Sequence, residues 1–255
     1  MIIMIDSHCH LECMKNADEI IENSKKKLKA VVTSVCEPKD AEKGLELQER
    51  HKGFVFLCLG MHPQGLEKYT EKEIDNYTEL IKQNKKKIVA IGEIGLDYYW
   101  VKNEDQRDRC KEIFSRFIEL AKELKKPIVI HCREAWDDTL EILKNHNATN
   151  VMLHCFSGNE NILKKSLERK YMISYATNIC YTKKHSYLIA KTPLYNILLE
   201  TDSPWLNPEN PIEITNEPLN IIRSSEIIAK IKGIPKEEVL EIAEGNAKKF
   251  YNLKI

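Results

Sequence analysis

The chain alternates short runs of β-branched and apolar residues with longer amphipathic segments. Strands are expected at 2–5, 30–35, 54–59, 88–91, 128–130, 151–153, 171–174 and 197–199. Between them the spacing predicts helices at 17–28, 38–51, 73–86, 105–125, 134–145, 159–169 and 183–191. Two more, at 217–232 and 236–243, follow the last strand, and a final turn is expected at 246–252. The clearest helix is 105–125. There Cys110, Ile113, Phe114, Phe117, Ile118, Ala121 and Leu124 recur every three or four positions and build one apolar stripe. Asn216 as a cap with Pro218 just inside, and Pro235 further on, mark the starts of the last two helices.

Strands that alternate with helices favour a parallel sheet, because parallel neighbours need crossover connections. An open doubly wound sheet satisfies that pattern too. The count of eight strands and the placement of polar residues favour an α/β chain folded as a (β/α)8 TIM-type barrel, one domain over 1–255. His8 and His10, His62, Glu93, His131, His154 and Asp202 all follow predicted strands. In a barrel those strand ends share one rim, the C-terminal rim that holds the active site.

Composition changes this picture little. Formal net charge is zero, so no global field draws in a polyanion. Lys25-Lys26-Lys27, Lys85-Lys86-Lys87 and Lys125-Lys126 end predicted helices, where positive charge complements the macrodipole, and they are expected on the face away from the rim. None of the eight cysteines forms a Cys-x-x-Cys pair. Cys9, Cys132 and Cys155 each follow a candidate ligand histidine, so strand alternation is expected to turn them away from it as small reduced core residues. No run approaches the roughly 18 apolar residues of a membrane span, and no basic segment leads an apolar one at the N-terminus. The expectation is a cytoplasmic enzyme with no membrane contact and no obligate protein partner.

Taken singly, a histidine after an apolar strand reads as a satisfied polar residue, and Glu93 as a solvated one. Together they read differently. Buried imidazoles and carboxylates without partners are costly, so a crowd of them at one rim points to metal. His8, His10, His131 and His154 with Glu93 and Asp202 are too many for one tetrahedral ion. They suit two divalent cations about 3.5–4 Å apart, bridged by a carboxylate. Nitrogen and oxygen donors without thiolate admit Zn, Mn, Ni, Co or Fe, with Mg less at home among imidazoles.

These residues stand in motifs. In order they are Asp6-Ser7-His8-Cys9-His10-Leu11, Gly60-Met61-His62-Pro63, Gly92-Glu93-Ile94-Gly95-Leu96-Asp97 and Ile130-His131-Cys132-Arg133. Leu153-His154-Cys155-Phe156-Ser157-Gly158, Leu199-Glu200-Thr201-Asp202-Ser203-Pro204-Trp205, Asn216-Glu217-Pro218 and Gly245-Asn246-Ala247 complete the series. The series resembles, from end to end and in order, the TatD-type metal-dependent hydrolases (TatD DNases) among the amidohydrolase-like barrels. The resemblance implies a first ion held by His8, His10, Glu93 and Asp202, and a second held by Glu93, His131 and His154, with Glu93 bridging. It implies attack by metal-bound hydroxide, with Glu93 and Asp202 as the catalytic carboxylates. Asp202 is expected both to ligate and to accept the water's proton.

His62 is expected to donate, as an imidazolium, to a substrate phosphate. For Arg133 a phosphate clamp is weighed against an ion pair with Asp97 or Glu200. Tyr98, Tyr99, Trp100, Trp136, Tyr175, Tyr181 and Trp205 follow strands, and aromatic faces at a rim stack unpaired bases. With Lys102, Lys183 and Lys184 nearby, the rim suits a short single-stranded end. The expected function is hydrolysis of phosphodiesters in single-stranded DNA from the 3′ end. Two rivals remain: hydrolysis of an amide or ester, such as aminoacyl-tRNA deacylation, and a metal-loaded binding protein without turnover.

Overall fold

A computed structural model describes residues 4–209 and 212–255. Eight parallel strands run in sequence order: β1 (Ile5–Cys9), β2 (Ala30–Val35), β3 (Val55–Leu59), β4 (Ile88–Asp97), β5 (Ile128–Arg133), β6 (Val151–Leu153), β7 (Met172–Tyr175) and β8 (Ile197–Leu199). The helices between them are α1 (Ala17–Ser24), α2 (Ala41–Arg50), α3 (Glu71–Gln83), α4 (Glu104–Leu124), α5 (Trp136–Asn145), α6 (Glu160–Glu168) and α7 (Ser186–Lys191). After β8 come α8 (Ile221–Lys232) and α9 (Lys236–Tyr251). The predicted strand at 2–5 falls partly on residues outside those described, and the described strand begins only at Ile5. No helix among the described residues is long and apolar enough to cross a membrane.

The barrel is nearly closed. Ladders join each strand to the next from β1 to β8. Side chains and loop backbone stitch the remaining seam between β8 and β1. The Asp6 carboxylate accepts the Thr201 N–H at 2.9 Å and its hydroxyl, and the Ser7 hydroxyl donates to the Leu199 carbonyl at 2.6 Å. Above them the Asp202 N–H donates to the His8 carbonyl and the His10 N–H to the Ser203 carbonyl, at 3.0 and 2.7 Å. Asp6 is fully buried, and burial pushes its carboxyl well above the ordinary range.

The core has two layers. Inside the barrel lie Ile5, Ala30, Val32, Cys58, Ala90, Val129, Met152 and Leu198, plugged from below by Phe250, Tyr251 and Leu253. The other apolar faces of the strands pack against the helices. The α4 stripe behaves as its spacing predicts, with Cys110, Ile113, Phe114, Phe117, Ile118 and Ala121 all buried.

Predicted boundaries move at the C-terminal end of the chain. The helix at 236–243 and the turn at 246–252 form one helix, α9, because Ala247, Phe250 and Tyr251 continue its buried face past Gly245. The helix at 217–232 begins only at Ile221, after a tight turn at Pro218–Asn220, and Asn216 does not cap it. Fully buried, Asn216 instead donates to the Thr177 hydroxyl and the Thr201 carbonyl, both at 2.9 Å. The lysine runs follow α1, α3 and α4 and precede strands, at the end of the barrel opposite the rim. Lys126 there donates to the Ile88 carbonyl at 2.6 Å. All eight cysteines are free thiols.

Candidate metal centre

On three strands plain alternation carries the interior face upward to the rim. Val129 lies inside the barrel, and His131 and Arg133 share its face; Met152 is followed by His154, and Leu198 by Glu200. Asp202 lies past the end of β8 with a φ of 57° and is placed by that turn rather than by alternation. On β1 and β4 alternation would fail. From interior Ile5 and Ala90 it would aim Ser7 and Gly92 inward rather than His8 and Glu93. The register of β1 on β2 slips between Asp6 and Cys9, and that of β4 on β5 between Ile91 and Ile94. These bulges change the phase and re-aim His8, His10 and Glu93.

Glycine permits the close approach of the strands here. A Cβ on Gly95, whose φ is 145°, would lie 2.0 Å from the His131 carbonyl oxygen; one on Gly60 would lie 2.5–2.7 Å from the backbone of Gly92 and Glu93. Strands β4 and β5 both run past their predicted ends. Glu93 and His131 therefore sit within strands, as His8 does, rather than after them.

The buried Glu93 carboxylate divides two groups of imidazoles. Its Oε2 lies 3.3 Å from His8 Nε2 and 3.6 Å from His10 Nε2. Its Oε1 lies 2.7 Å from His131 Nδ1 and 3.2 Å from His154 Nε2. Asp202 Oδ1 joins the first group, 3.3 Å from His10 Nε2 and 3.6 Å from His8 Nε2. All six expected ligands therefore meet at one place.

Three of the four imidazoles are held from behind. His131 Nε2 faces Asp97 Oδ2 at 2.9 Å, His154 Nδ1 faces Glu200 Oε1 at 3.1 Å, and His10 Nδ1 faces the Ser34 carbonyl at 2.7 Å. Each contact leaves the opposite nitrogen pointing at Glu93, which is how outer partners orient metal-binding histidines. Among the described residues His8 Nδ1 has no partner. Buried nitrogens and carboxylate oxygens aimed at common points form a donor set that fits divalent cations.

The charges agree with that fit. Burial would raise the Glu93 carboxyl, but His154, His131 and His8 outweigh it and hold it well below its ordinary range. Asp202 is likewise lowered against its burial, by His10 and the charge of His154. Burial opposes protonation of His10, His131 and His154, yet all three are raised: His10 by Cys36, Asp202 and Glu12, His131 by Asp97 and Glu93, and His154 by Glu93 and Glu200. His8 is lowered by burial and by His154.

Around the ligands the expectations divide. His62 stands at the site, its Nε2 3.7 Å from Glu93 Oε1, but burial and the neighbouring His131 push it down to about 3. It is therefore a neutral imidazole rather than an imidazolium. The Gln64 N–H donates to its Nδ1 at 3.2 Å, so the proton sits on Nε2, facing the site. Among the described residues Arg133 pairs with neither Asp97 nor Glu200, which are engaged by His131 and His154. Its guanidinium lies over the Tyr99 ring at 3.7 Å. Of the seven aromatics, Tyr99, Trp100, Tyr181 and Trp205 are exposed, whereas Tyr175 is buried and Tyr98 and Trp136 are partly so.

Four residues that matter here escaped the sequence reading as site residues: Asp97 and Glu200 behind two imidazoles, Asp6 in the seam, and Cys36. The Cys36 thiol lies 3.5 Å from Glu93 Oε2 and 3.6 Å from His10 Nδ1. The face shared by Ala30, Val32, Ser34 and Cys36 was the available signal, so a thiol borders the expected nitrogen and oxygen donors. Cys9 and Cys132 do turn away into the outer core. Cys155 does not follow that rule, because β6 ends at Leu153 and its own φ of 40° breaks the alternation.

The profile of the TatD related DNase family matches residues 5–252. Human deoxyribonuclease TATDN3 is 36% identical over 260 residues, which cover 97% of this chain and 94% of the relative. An uncharacterised metal-dependent hydrolase of Methanocaldococcus jannaschii is 37% identical over 254 residues, 98% of each chain. The crystal structure of YJJV, a TatD homologue from Escherichia coli, superposes with a TM-score of 0.91 at 25% identity, covering 99% of both chains. With its barrel, its rim of imidazoles and its motifs in order, the chain belongs to the TatD related DNase family of metal-dependent hydrolases.

Proposed function

We propose that the chain, as a single domain, hydrolyses phosphodiesters of single-stranded DNA, working inward from a 3′ end at a centre of two divalent cations. One observation carries the reading. Glu93 offers its two oxygens to two separate imidazole pairs, the arrangement of a bridging carboxylate. His8, His10, Asp202 and Glu93 would hold one ion, and His131, His154 and Glu93 the other. Such ions, when bound, acidify water and offset charge that develops on a phosphoryl group.

The remaining work belongs to this chain's own side chains. The neutral His62 presents its Nε2–H to a phosphate oxygen, and Arg133, which pairs with no carboxylate among the described residues, supplies the cationic contact. Asp202 is the more exposed of the two carboxylates, at 16% against 3% for Glu93, and is placed to take a proton from the attacking water. Tyr99 and Trp100 stand exposed beside Arg133 and offer faces to unpaired bases. A duplex would not bring its phosphates down to ligands this buried. The human relative, named a deoxyribonuclease, supports DNA as the polymer.

The test is reconstitution. Metal-stripped protein is reloaded separately with Zn, Mn, Co and Mg and assayed on end-labelled single-stranded DNA, single-stranded RNA, duplex DNA, aminoacyl-tRNA and cyclic amides. Stepwise shortening of single-stranded DNA from the 3′ end is expected. Turnover confined to the carbonyl substrates, or metal uptake with no turnover on any substrate, overturns the reading.

A further inference from the structure

We propose that Asp97 is a positioning residue that couples the orientation of His131 to the order of the segment carrying Tyr99 and Trp100. A cation at the His131–His154 end of the centre would then firm the aromatic platform beside it. The proposal rests on the two-ion reading above.

Asp97 is 1% exposed, and both its oxygens are engaged. Oδ2 accepts from His131 Nε2 at 2.9 Å. Oδ1 accepts the backbone N–H groups of Tyr99 and Trp100, each at 2.9 Å. The segment these amides hold carries the Tyr99 ring beneath the Arg133 guanidinium, with the Trp100 ring edge-on to it at 4.9 Å. Asp97 and Arg133 end β4 and β5 as paired residues, and the Tyr98 N–H donates to the Arg133 carbonyl at 2.8 Å. One carboxylate thus reaches the metal side through an imidazole and the substrate side through two amides.

The coupling follows from hydrogen-bond chemistry. A cation on Nδ1 withdraws electrons from the ring and makes Nε2–H a stronger donor. The carboxylate that receives it is held more firmly, and so is the oxygen beneath the two amides. The effect is reciprocal, because a segment fixed by a bound base keeps Asp97 where it directs Nδ1 toward Glu93.

A different use of the same atoms is a third cation among His62, Asp97 and His131, whose donor atoms lie within 4.8 Å of one another. The contacts favour positioning. Asp97 already accepts from three N–H groups, and His62 Nδ1 accepts from the Gln64 N–H.

Counting acceptors defines the test. A carboxylate accepts on both oxygens and an amide on only one. Asp97→Asn can therefore keep the two backbone bonds, but it turns an NH2 toward His131. The ring must then carry its proton on Nδ1, the nitrogen a cation needs. Asp97→Ala loses both contacts.

The experiment titrates zinc into the metal-stripped full chain against a competing chelator and follows hydrogen exchange at the amides of residues 99 and 100. In the wild type, zinc is expected to slow exchange at those amides about 5-fold or more. Asp97→Asn should bind its second zinc equivalent about 10–100-fold more weakly while keeping wild-type protection at both amides in the metal-free state. Asp97→Ala should lose both. Wild-type exchange that ignores zinc, or an Asp97→Asn protein that binds zinc as the wild type does, overturns the proposal. If the wild type takes up only one equivalent, the two-ion reading fails separately, and the response of that single equivalent to Asp97→Asn decides the role of Asp97.

Discussion

Nδ1 of His154 lies 3.1 Å from Oε1 of the fully buried Glu200, which turns His154 Nε2 toward Glu93. The same Oε1 accepts the Cys155 N–H at 2.6 Å, so one oxygen carries both bonds. A glutamine can keep both bonds while it loses the charge and places an NH2 where Oε2 stands buried with no partner among the described residues. Glu200→Gln should therefore weaken zinc binding by about 10-fold, at the low end of what outer partners contribute. Glu200→Ala frees the ring and should cost about 100-fold. Zinc titration against a chelator measures both variants, and equal affinities in the wild type and Glu200→Ala would remove Glu200 from the centre.

The metal-free protein should have a pH dependence of stability set by its own ligands. His10, His131 and His154 are raised in the fold, so the stability they lend is fully present below the unfolded imidazole value of about 6.5 and is lost as pH rises through their folded values. Glu93 and Asp202 are lowered, so their share is present above about 4 and is lost as pH falls through their folded values. His8 and His62 are lowered and cost stability as pH falls below about 6.5, so the stripped protein should be most stable near pH 6.5, and its Tm should fall on the alkaline side. Bound cations favour deprotonated imidazoles and should remove the alkaline decline. Melting curves with and without zinc across this range check both limbs; a stripped protein that gains stability above pH 7 contradicts the ligand set.

Gly95 admits no side chain. Its φ of 145° suits glycine, and a Cβ would lie 2.0 Å from the His131 carbonyl oxygen. Gly95→Ala must push β4 from β5 at the residue that carries a ligand. The expected cost is roughly 3 kcal/mol or more, from backbone strain and overpacking together. Chemical denaturation reads the stability loss, and zinc titration should show the His131 end loosened as well. Gly233→Ala is the control: its φ is also positive, but no atom lies within 4 Å of its Cβ position.

How much of this was legible in the chain depends on what each residue's neighbours are. Strand identities and the rim positions of His131 and His154 follow from alternation, a local property, whereas His8 and His10 depend on the slip of β1 against β2. Glu93 stands out in its motif as a candidate ligand, but its place within β4 does not, because a bulge reflects pairing with β5 and leaves no periodic trace. Asp97 and Glu200 stand in motifs that were read, yet their partners lie 34 and 46 residues away, and only the folded barrel brings them together. The charge of His62 was misjudged for a related reason. Burial decides it, and a sequence position after a tight turn does not reveal burial.

Asp202→Asn separates chemistry from architecture. The bonds that tie this residue into the seam are made by its backbone: its N–H to the His8 carbonyl at 3.0 Å, and its carbonyl to the Trp205 N–H at 3.1 Å. An isosteric amide leaves those bonds in place, so the fold should stay intact, and the metal-free protein should lose only the share of stability that the Asp202 charge lends beside His10 and His154. An amide oxygen still reaches toward His8 and His10, though without charge, so the first ion should weaken while the second stays. What the amide cannot do is accept the water's proton. Removing a general base typically costs about 10²–10⁴-fold in rate, and the weakened ion adds to that loss. Turnover on single-stranded DNA should therefore fall by at least about 10²-fold even at saturating metal. Raising pH should restore part of the rate, because hydroxide from bulk water replaces the missing base. A variant that keeps near-normal turnover with metal saturating would assign the proton to another group, and Cys36 and His62, the titratable side chains nearest Glu93 after the ligands, would be the next to test.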